Sequence, residues 1–292
     1  MHTSNNVRIF YNTNFKRNEI KEDDTVLVFI YGLVCSNNQW AYQLPYFDNE
    51  KHKILIHDFR GHFSSSGKND ITSCTFKNMT QDLFELIQEI NAKNVILISH
   101  SMGVNIALEF AYQHPSLVKG VTLISGTVFS PCDLMMNTNL SDVVIPQLKK
   151  VNKLLPKAYN LFWRNAYLIP PLRAIVHHGG FHTENVPKEY VTSYIKKIGE
   201  LPPELFYQLM DEMKKHNIIN HLEKIETSVL IIGGDKDKII PNKSQFALEQ
   251  MLPNAELYIV KDGSHVPQAD FPKLINERIT LFIDQCSLES NL

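Results

Sequence analysis

The chain has 292 residues, 43% hydrophobic and 21% charged, with a formal net charge of −2. That make-up suits a globular protein with room for a large core, in one big domain or two smaller ones. Acids and bases are mixed along the chain, so no basic field is expected to draw nucleic acid or anionic lipid, and Lys149-Lys150 reads as a short solvated helix face.

The N-terminal stretch "MHTSNNVRIFYNTNFKRNEI" lacks the long apolar run of a secretory signal. Apolar runs elsewhere fall well short of the roughly 18 residues of a membrane span. Cys35, Cys74, Cys132 and Cys286 form no CxxC pair. They read as reduced thiols, and a cytoplasmic location without a membrane span is expected.

In chain order, "VRIFYN" near the start can form an edge strand. "TVLVFIY" (25–31) and "KILIHD" (53–58) follow, each almost continuously apolar. The spacing of Met79, Leu83, Phe84, Leu86, Ile87 and Ile90 predicts a helix over 75–90, with Thr75 as its N-cap. "NVILIS" (94–99) is the next strand; residues 102–113 read as a helix, and "KGVTLIS" (119–125) as a strand. From about 131 to 224 no strand appears. Helical patterns such as "ELFYQLMDEMKKH" (204–216) mark this region as an inserted helical unit, since a structureless loop of that length is suspect. "SVLIIGG" (228–234), "ELYIVK" (256–261) and a closing helix over 271–284 complete the chain. Strands without polar alternation are buried on both faces. Alternating with helices, they predict an α/β fold with a mostly parallel central sheet flanked by helices.

The stretch "VILISHSMGVNIALEFA" (95–111) places Ser101 between a buried strand and a helix, with Ser99 and Gly103 two residues to either side. On such a turn the side chain is forced outward, its neighbours must be small, and the helix N-terminus favours an oxyanion. An activated serine needs a base, and the base needs an orienting carboxylate. The loops "GGDKDKIIP" (233–241) and "KDGSHVPQADFP" (261–272) leave the C-terminal ends of strands, the same sheet edge as Ser101. The order Ser101, Asp237, His265 is the one this architecture uses. Asp235 and Asp133 stand as other possible acids. His100 reads as structural, because neighbouring side chains on the turn point apart, and Asp58 with Arg60 reads as a structural turn pair. "HHGGFH" (177–182) lacks a carboxylate or cysteine at a familiar ligand spacing and reads as a cap loop with glycine hinges; no metal is expected.

With these motifs the chain resembles the α/β-hydrolase superfamily, in its form with a helical cap. "SHSMG" is similar to the nucleophile elbow, "GGDKDKIIP" to the acid loop, "GSHVPQADFP" to the histidine loop, "HDFRGHFSSSG" (57–67) to the D-x-R-G-x-G-x-S turn, and "YGLVCSNNQW" (31–40) to the oxyanion loop. Three positions depart from the pattern: Ser99 for Gly, Tyr31 for His and Phe63 for Gly. The resemblance implies a core of residues 1–130 and 225–292, a cap over 131–224, and catalytic Ser101, Asp237 and His265. It implies backbone oxyanion donors at Leu33 and Met102, with no cofactor. Tyr31 and Trp40 are candidate pocket residues. The expected function is a serine hydrolase cleaving a carboxylic ester or similar acyl compound, small and, given an apolar cap, apolar. A C–C bond hydrolase or lactonase on the same scaffold, and a non-catalytic ligand receptor, remain alternatives. A serine nucleophile speaks against epoxide hydrolases and haloalkane dehalogenases, and Tyr31-Gly32-Leu33-Val34 lacks the His-Gly-Gly-Pro-like loop of prolyl aminopeptidases.

Overall fold

A computed structural model describes residues 1–67, 70–129 and 140–289, the side chains of 140–143 excepted. Cys132 and Asp133 lie outside the described residues. Seven strands form one sheet: β1 (Tyr11–Thr13), β2 (Thr25–Ile30), β3 (Lys53–His57), β4 (Asn94–His100), β5 (Val118–Ile124), β6 (Val229–Gly234) and β7 (Ala255–Val260). Their order is β1-β3-β2-β4-β5-β6-β7. β1 runs antiparallel to β3, and all other pairs are parallel. The C-terminal ends of β2, β4, β6 and β7 therefore open onto one edge.

The continuous apolar runs follow from burial on both faces of the sheet. Val26, Val28 and Ile30 of β2 pack in one cluster, Leu27 and Phe29 in the other. β4 and β6 divide the same way: Val95, Leu97, Val229 and Ile231 on one side, Ile96, Ile98, Leu230 and Ile232 on the other. Helices α1 (Gln43–Asn49), α2 (Phe76–Glu89) and α3 (Gly103–Gln113) follow β2, β3 and β4. Thr75 caps α2 as expected, its hydroxyl accepting from the Asn78 N–H at 3.2 Å.

Between β5 and β6 the described residues are helical or connecting: α4 (Leu140–Leu154), α5 (Pro156–Asn165), α6 (Pro170–Gly180), α7 (Lys188–Gly199) and α8 (Pro203–Lys215), with short 3-10 turns. α9 (Asn242–Met251), α10 (Pro267–Asp270) and α11 (Pro272–Glu289) complete the fold. No helix among the described residues is long and apolar enough to cross a membrane.

Two expectations shift in detail. The N-terminal strand is only three residues long and starts later than "VRIFYN", because it is an edge strand paired with β3 alone. Arg60 pairs with Asp82 on α2, not with Asp58: Nε and Nη2 donate to its two carboxylate oxygens at 2.7 and 2.6 Å, with both side chains buried. Such a two-point pair satisfies both charges out of water, which a neighbour on the same turn cannot match. Asp58 instead accepts from the Ser64 N–H at 3.1 Å and from Asn37 Nδ2 at 3.3 Å.

Candidate active site

Ser101 stands between β4 and α3 with φ 53°, in the left-handed region. Its N–H donates to Ile124 O at 2.9 Å, fixing the turn to the end of β5. The small flanking residues have separate reasons. A Cβ on Gly103 would lie 2.7 Å from the carbonyl oxygens of Ile30 and Tyr31, so α3 can start this close to β2 only with glycine there. Ser99 is fully buried, and its hydroxyl donates to Thr122 O on β5 at 2.9 Å, so a serine fits where the resemblance has glycine. Gly32 is equally constrained: a Cβ there would stand 3.0 Å from the Ser101 Cβ.

Two more glycines bring the acid and histidine loops together. A Cβ on Gly234 would lie 2.3 Å from the carbonyl oxygens of Gly263 and Ser264, and one on Gly263 would lie 3.0 Å from the Gly234 Cα. The loops touch backbone to backbone, and the Lys236 N–H donates to Gly263 O at 2.8 Å. The result is a hydrogen-bonded chain. His265 Nδ1 lies 2.9 Å from Asp237 Oδ2, and His265 Nε2 lies 3.1 Å from Ser101 Oγ. A carboxylate at Nδ1 places the ring hydrogen there, which leaves Nε2 to accept the serine hydroxyl. The other Asp237 oxygen accepts from the Ile239 and Ile240 N–H groups at 2.8 and 2.9 Å. Asp235 is turned to Lys236 and not to His265.

His100 supports this arrangement without entering it. Its Nε2–H donates to the His265 carbonyl at 2.9 Å. Burial, followed by the nearby His265 ring, pushes it down to about 3, so it stays neutral. The N–H groups of Leu33 and Met102 have no acceptor among the described residues. Val34, the next residue, takes φ 47° in the turn after β2.

The two pocket candidates are placed differently from expectation. Tyr31 is fully buried, its hydroxyl accepts from the Phe59 N–H at 2.9 Å, and its ring lies 4.5 Å from the Phe59 ring. Trp40 is also fully buried, edge-on to Phe29 and His100. Both are packing residues behind the turn, since neither presents surface to a ligand. A cavity of about 370 Å³ is walled by Cys35, Asn38, Gln39, Leu44, Tyr190 and Tyr194, among others, and Ser101, Asp237 and His265 are not in its lining. Tyr194 OH lies 2.8 Å from Cys35 Sγ.

The helical insertion is fastened to these same loops. Lys238 Nζ donates to His178 O at 2.9 Å, tying the acid loop to α6. Asp270 accepts from the Ser264 N–H at 2.6 Å and from the His182 N–H at 3.1 Å. Burial raises its carboxyl, while the bonds from Ser264 act the other way. His216, at the end of α8, has Nδ1 2.9 Å from Asn105 Oδ1 and Nε2 3.0 Å from Glu109 Oε2, both on α3. Asn105 also donates to Met102 O at 3.2 Å, next to the serine. Sequence reasoning assigned no role to Asp270, Asn105 or His216. Asp270 lies inside the quoted histidine loop, where a carboxylate amid apolar neighbours was the available signal, whereas His216 and Asn105 are brought together only by the fold. The "HHGGFH" histidines close α6: His177 Nε2 faces Val186 O at 3.3 Å, and His182 Nδ1 accepts from Glu184 and Asn185 N–H groups. No cluster of three metal-ligating side chains occurs among the described residues.

A mostly parallel sheet with a serine, a histidine and an aspartate at its C-terminal edge is the arrangement of an α/β hydrolase. The alpha/beta hydrolase fold family matches residues 25–272, and the chain belongs to that family. It is 26% identical over 270 residues to Protein ABHD8 of Bos taurus, a match spanning 89% of this chain and 56% of that protein. The chain thus spans little more than half the length of that relative. It is also 26% identical over 263 residues to the sn-1-specific diacylglycerol lipase ABHD11 of Danio rerio, covering 86% of this chain and 76% of the relative. The esterase EaEST from Exiguobacterium antarcticum superposes with a TM-score of 0.77 at 18% identity, covering 97% of this chain and 100% of the other, a likeness of fold.

Proposed function

We propose that this chain is a serine hydrolase that cleaves a carboxylic ester of modest size and apolar character through an acyl-enzyme. The observation that carries the reading is the hydrogen-bonded run Ser101 Oγ, His265 Nε2 and Nδ1, Asp237 Oδ2. The lipase name of one relative and the esterase name of one structural neighbour agree with it.

Ser101 Oγ attacks the ester carbonyl carbon as its proton passes to His265 Nε2. Asp237 holds the ring and balances the imidazolium that forms. The Leu33 and Met102 N–H groups stabilise the oxyanion, each lowering the barrier by about 3 kcal/mol. The tetrahedral adduct collapses, and the leaving alcohol takes the proton from Nε2. Water then attacks the acyl-enzyme, giving its proton to Nε2. The acid departs as Ser101 recovers that proton. The helical insertion between β5 and β6 serves as the cap.

The experiment is a chain-length series of p-nitrophenyl esters with fluorophosphonate labelling, run on the parent and on Ser101→Ala. Turnover and labelling are expected in the parent, with both lost in Ser101→Ala while its melting temperature is retained. Labelling or turnover that survives Ser101→Ala removes the assignment.

A further inference from the structure

The mixed charge of the whole chain conceals a local imbalance. Residues 143–183 contain Lys149, Lys150, Lys153, Lys157, Arg164 and Arg173, and no Asp or Glu. Lys149 is engaged with Asp211, its Nζ 2.8 Å from both carboxylate oxygens. Lys150, Lys153, Lys157 and Arg164 are exposed and have no carboxylate partner among the described residues. The expectation that no basic field faces anionic lipid rests on the chain average, whereas this segment is locally basic.

The same segment is turned the wrong way out for a helix that only packs on a core. Val144, Leu148, Val151 and Leu155 follow one another at helical spacing and are all exposed. Leu154 joins them at 67% exposure. The side of α4 that faces the protein is held by the Lys149–Asp211 pair and by Asn152 Nδ2 donating to Glu204 at 2.7 Å, along with Ile145. On α5, Leu161 at 67% and Phe162 at 48% extend the apolar surface past the exposed Lys157. An outward apolar stripe rimmed by cations is the pattern of a helix lying in a lipid interface. A chain on which no described helix can cross a membrane can still lie on one.

We infer that α4 and α5 form a docking face for an anionic membrane surface, the leucines and Phe162 entering the headgroup boundary while Lys150, Lys153, Lys157 and Arg164 meet the anionic headgroups. Charge selects this occupant. A second copy of the chain meeting this face by two-fold symmetry would bring like charges together, whereas acidic lipid complements them. The inference is independent of the catalytic reading, and Ser101→Ala is expected to bind membranes as the parent does.

The test is co-flotation of the full chain with vesicles of phosphatidylcholine alone or of phosphatidylcholine with phosphatidylserine, at low and high salt. Binding is expected only to the phosphatidylserine vesicles, with release at high salt. Lys150→Glu, Lys153→Glu and Lys157→Glu combined should weaken it at least about tenfold. Leu154→Glu with Leu161→Glu should weaken it about tenfold while the surface charge of the vesicles is unchanged. Melting temperature and turnover of a soluble short-chain ester are followed in every variant. If the leucine variant unfolds, the lysine variant, altered only at exposed unpaired positions, carries the test alone. Absence of binding to phosphatidylserine vesicles at low salt, or equal binding by folded variants, overturns the inference. So does a dimer that disappears in Leu154→Glu with Leu161→Glu while vesicles are ignored, since the face then belongs to a second copy.

Discussion

The sheet and the helical insertion are held by different forces. In β2, β4 and β6 nearly every side chain is buried, and α3 buries eight residues along its length, Gly103, Val104, Asn105, Ile106, Ala107, Leu108, Phe110 and Ala111. In α4, α5 and α6, leucines, valines and isoleucines stand in solvent, while the contacts down to the sheet edge include discrete polar bonds: Lys238 to His178, Asp270 to His182, His216 to Glu109. One region is fixed by apolar area removed from water and by backbone closeness. The other adds to its apolar packing a set of local fastenings, each worth on the order of 1 kcal/mol.

The contrast can be broken at several points. The largest effect is expected at the site itself: Asp237→Asn should lower kcat on order of 10⁴-fold at neutral pH without unfolding the chain, by presenting the wrong partner to His265 Nδ1. Steady-state kinetics beside a thermal melt measure it, and a loss under tenfold would remove Asp237 from its role. Next comes the core's intolerance of a single methyl. Gly234→Ala drives a Cβ into the carbonyls of Gly263 and Ser264 and should cost about 3 kcal/mol in denaturant unfolding.

The fastening of α8 to α3 should respond to acid. The bond from His216 holds the Glu109 carboxyl below its ordinary 4.5. A carboxyl depressed in the folded state contributes fully above its unfolded value and loses that contribution as pH falls through the folded one. His216→Ala should therefore melt earlier than the parent at pH 6, by about 1 kcal/mol, with the gap narrowing below pH 4.5. A gap that widens on acidification contradicts the pairing. The smallest effect has the opposite sign. A Cβ on Gly179 in α6 meets nothing within 4 Å, so Gly179→Ala should stabilise by up to about 1 kcal/mol, read from the same unfolding curves. Gly234 and Gly179 thus contrast the two regions through one kind of substitution.

What could be read in advance followed the same division. Six parallel strands were legible because burial on both faces leaves unbroken apolar runs. The Ser101, Asp237 and His265 loops were legible because each leaves a strand end at one edge. β1 was only half legible, since three residues paired on one side leave almost no pattern. Arg60 illustrates the limit. Its sequence neighbour Asp58 was the natural guess, yet the partner is Asp82, which the fold brings alongside from α2. Tyr31 and Trp40 looked like pocket residues because they flank the oxyanion turn, but aromatic rings on that turn have a core to fill first. The imbalance of residues 143–183 was visible in the letters and was averaged away by summing charge over the whole chain.

Asp270 has one carboxylate and two clients. One oxygen takes the N–H of Ser264, which immediately precedes His265, and the other takes the N–H of His182 just past α6 in the insertion. The anchor beside the base is thus shared with the insertion. The buried carboxylate that holds the residue before the histidine takes one of its two donors from the insertion. In the proposed hydrolase, the placement of the base therefore depends in part on a bond made by the insertion.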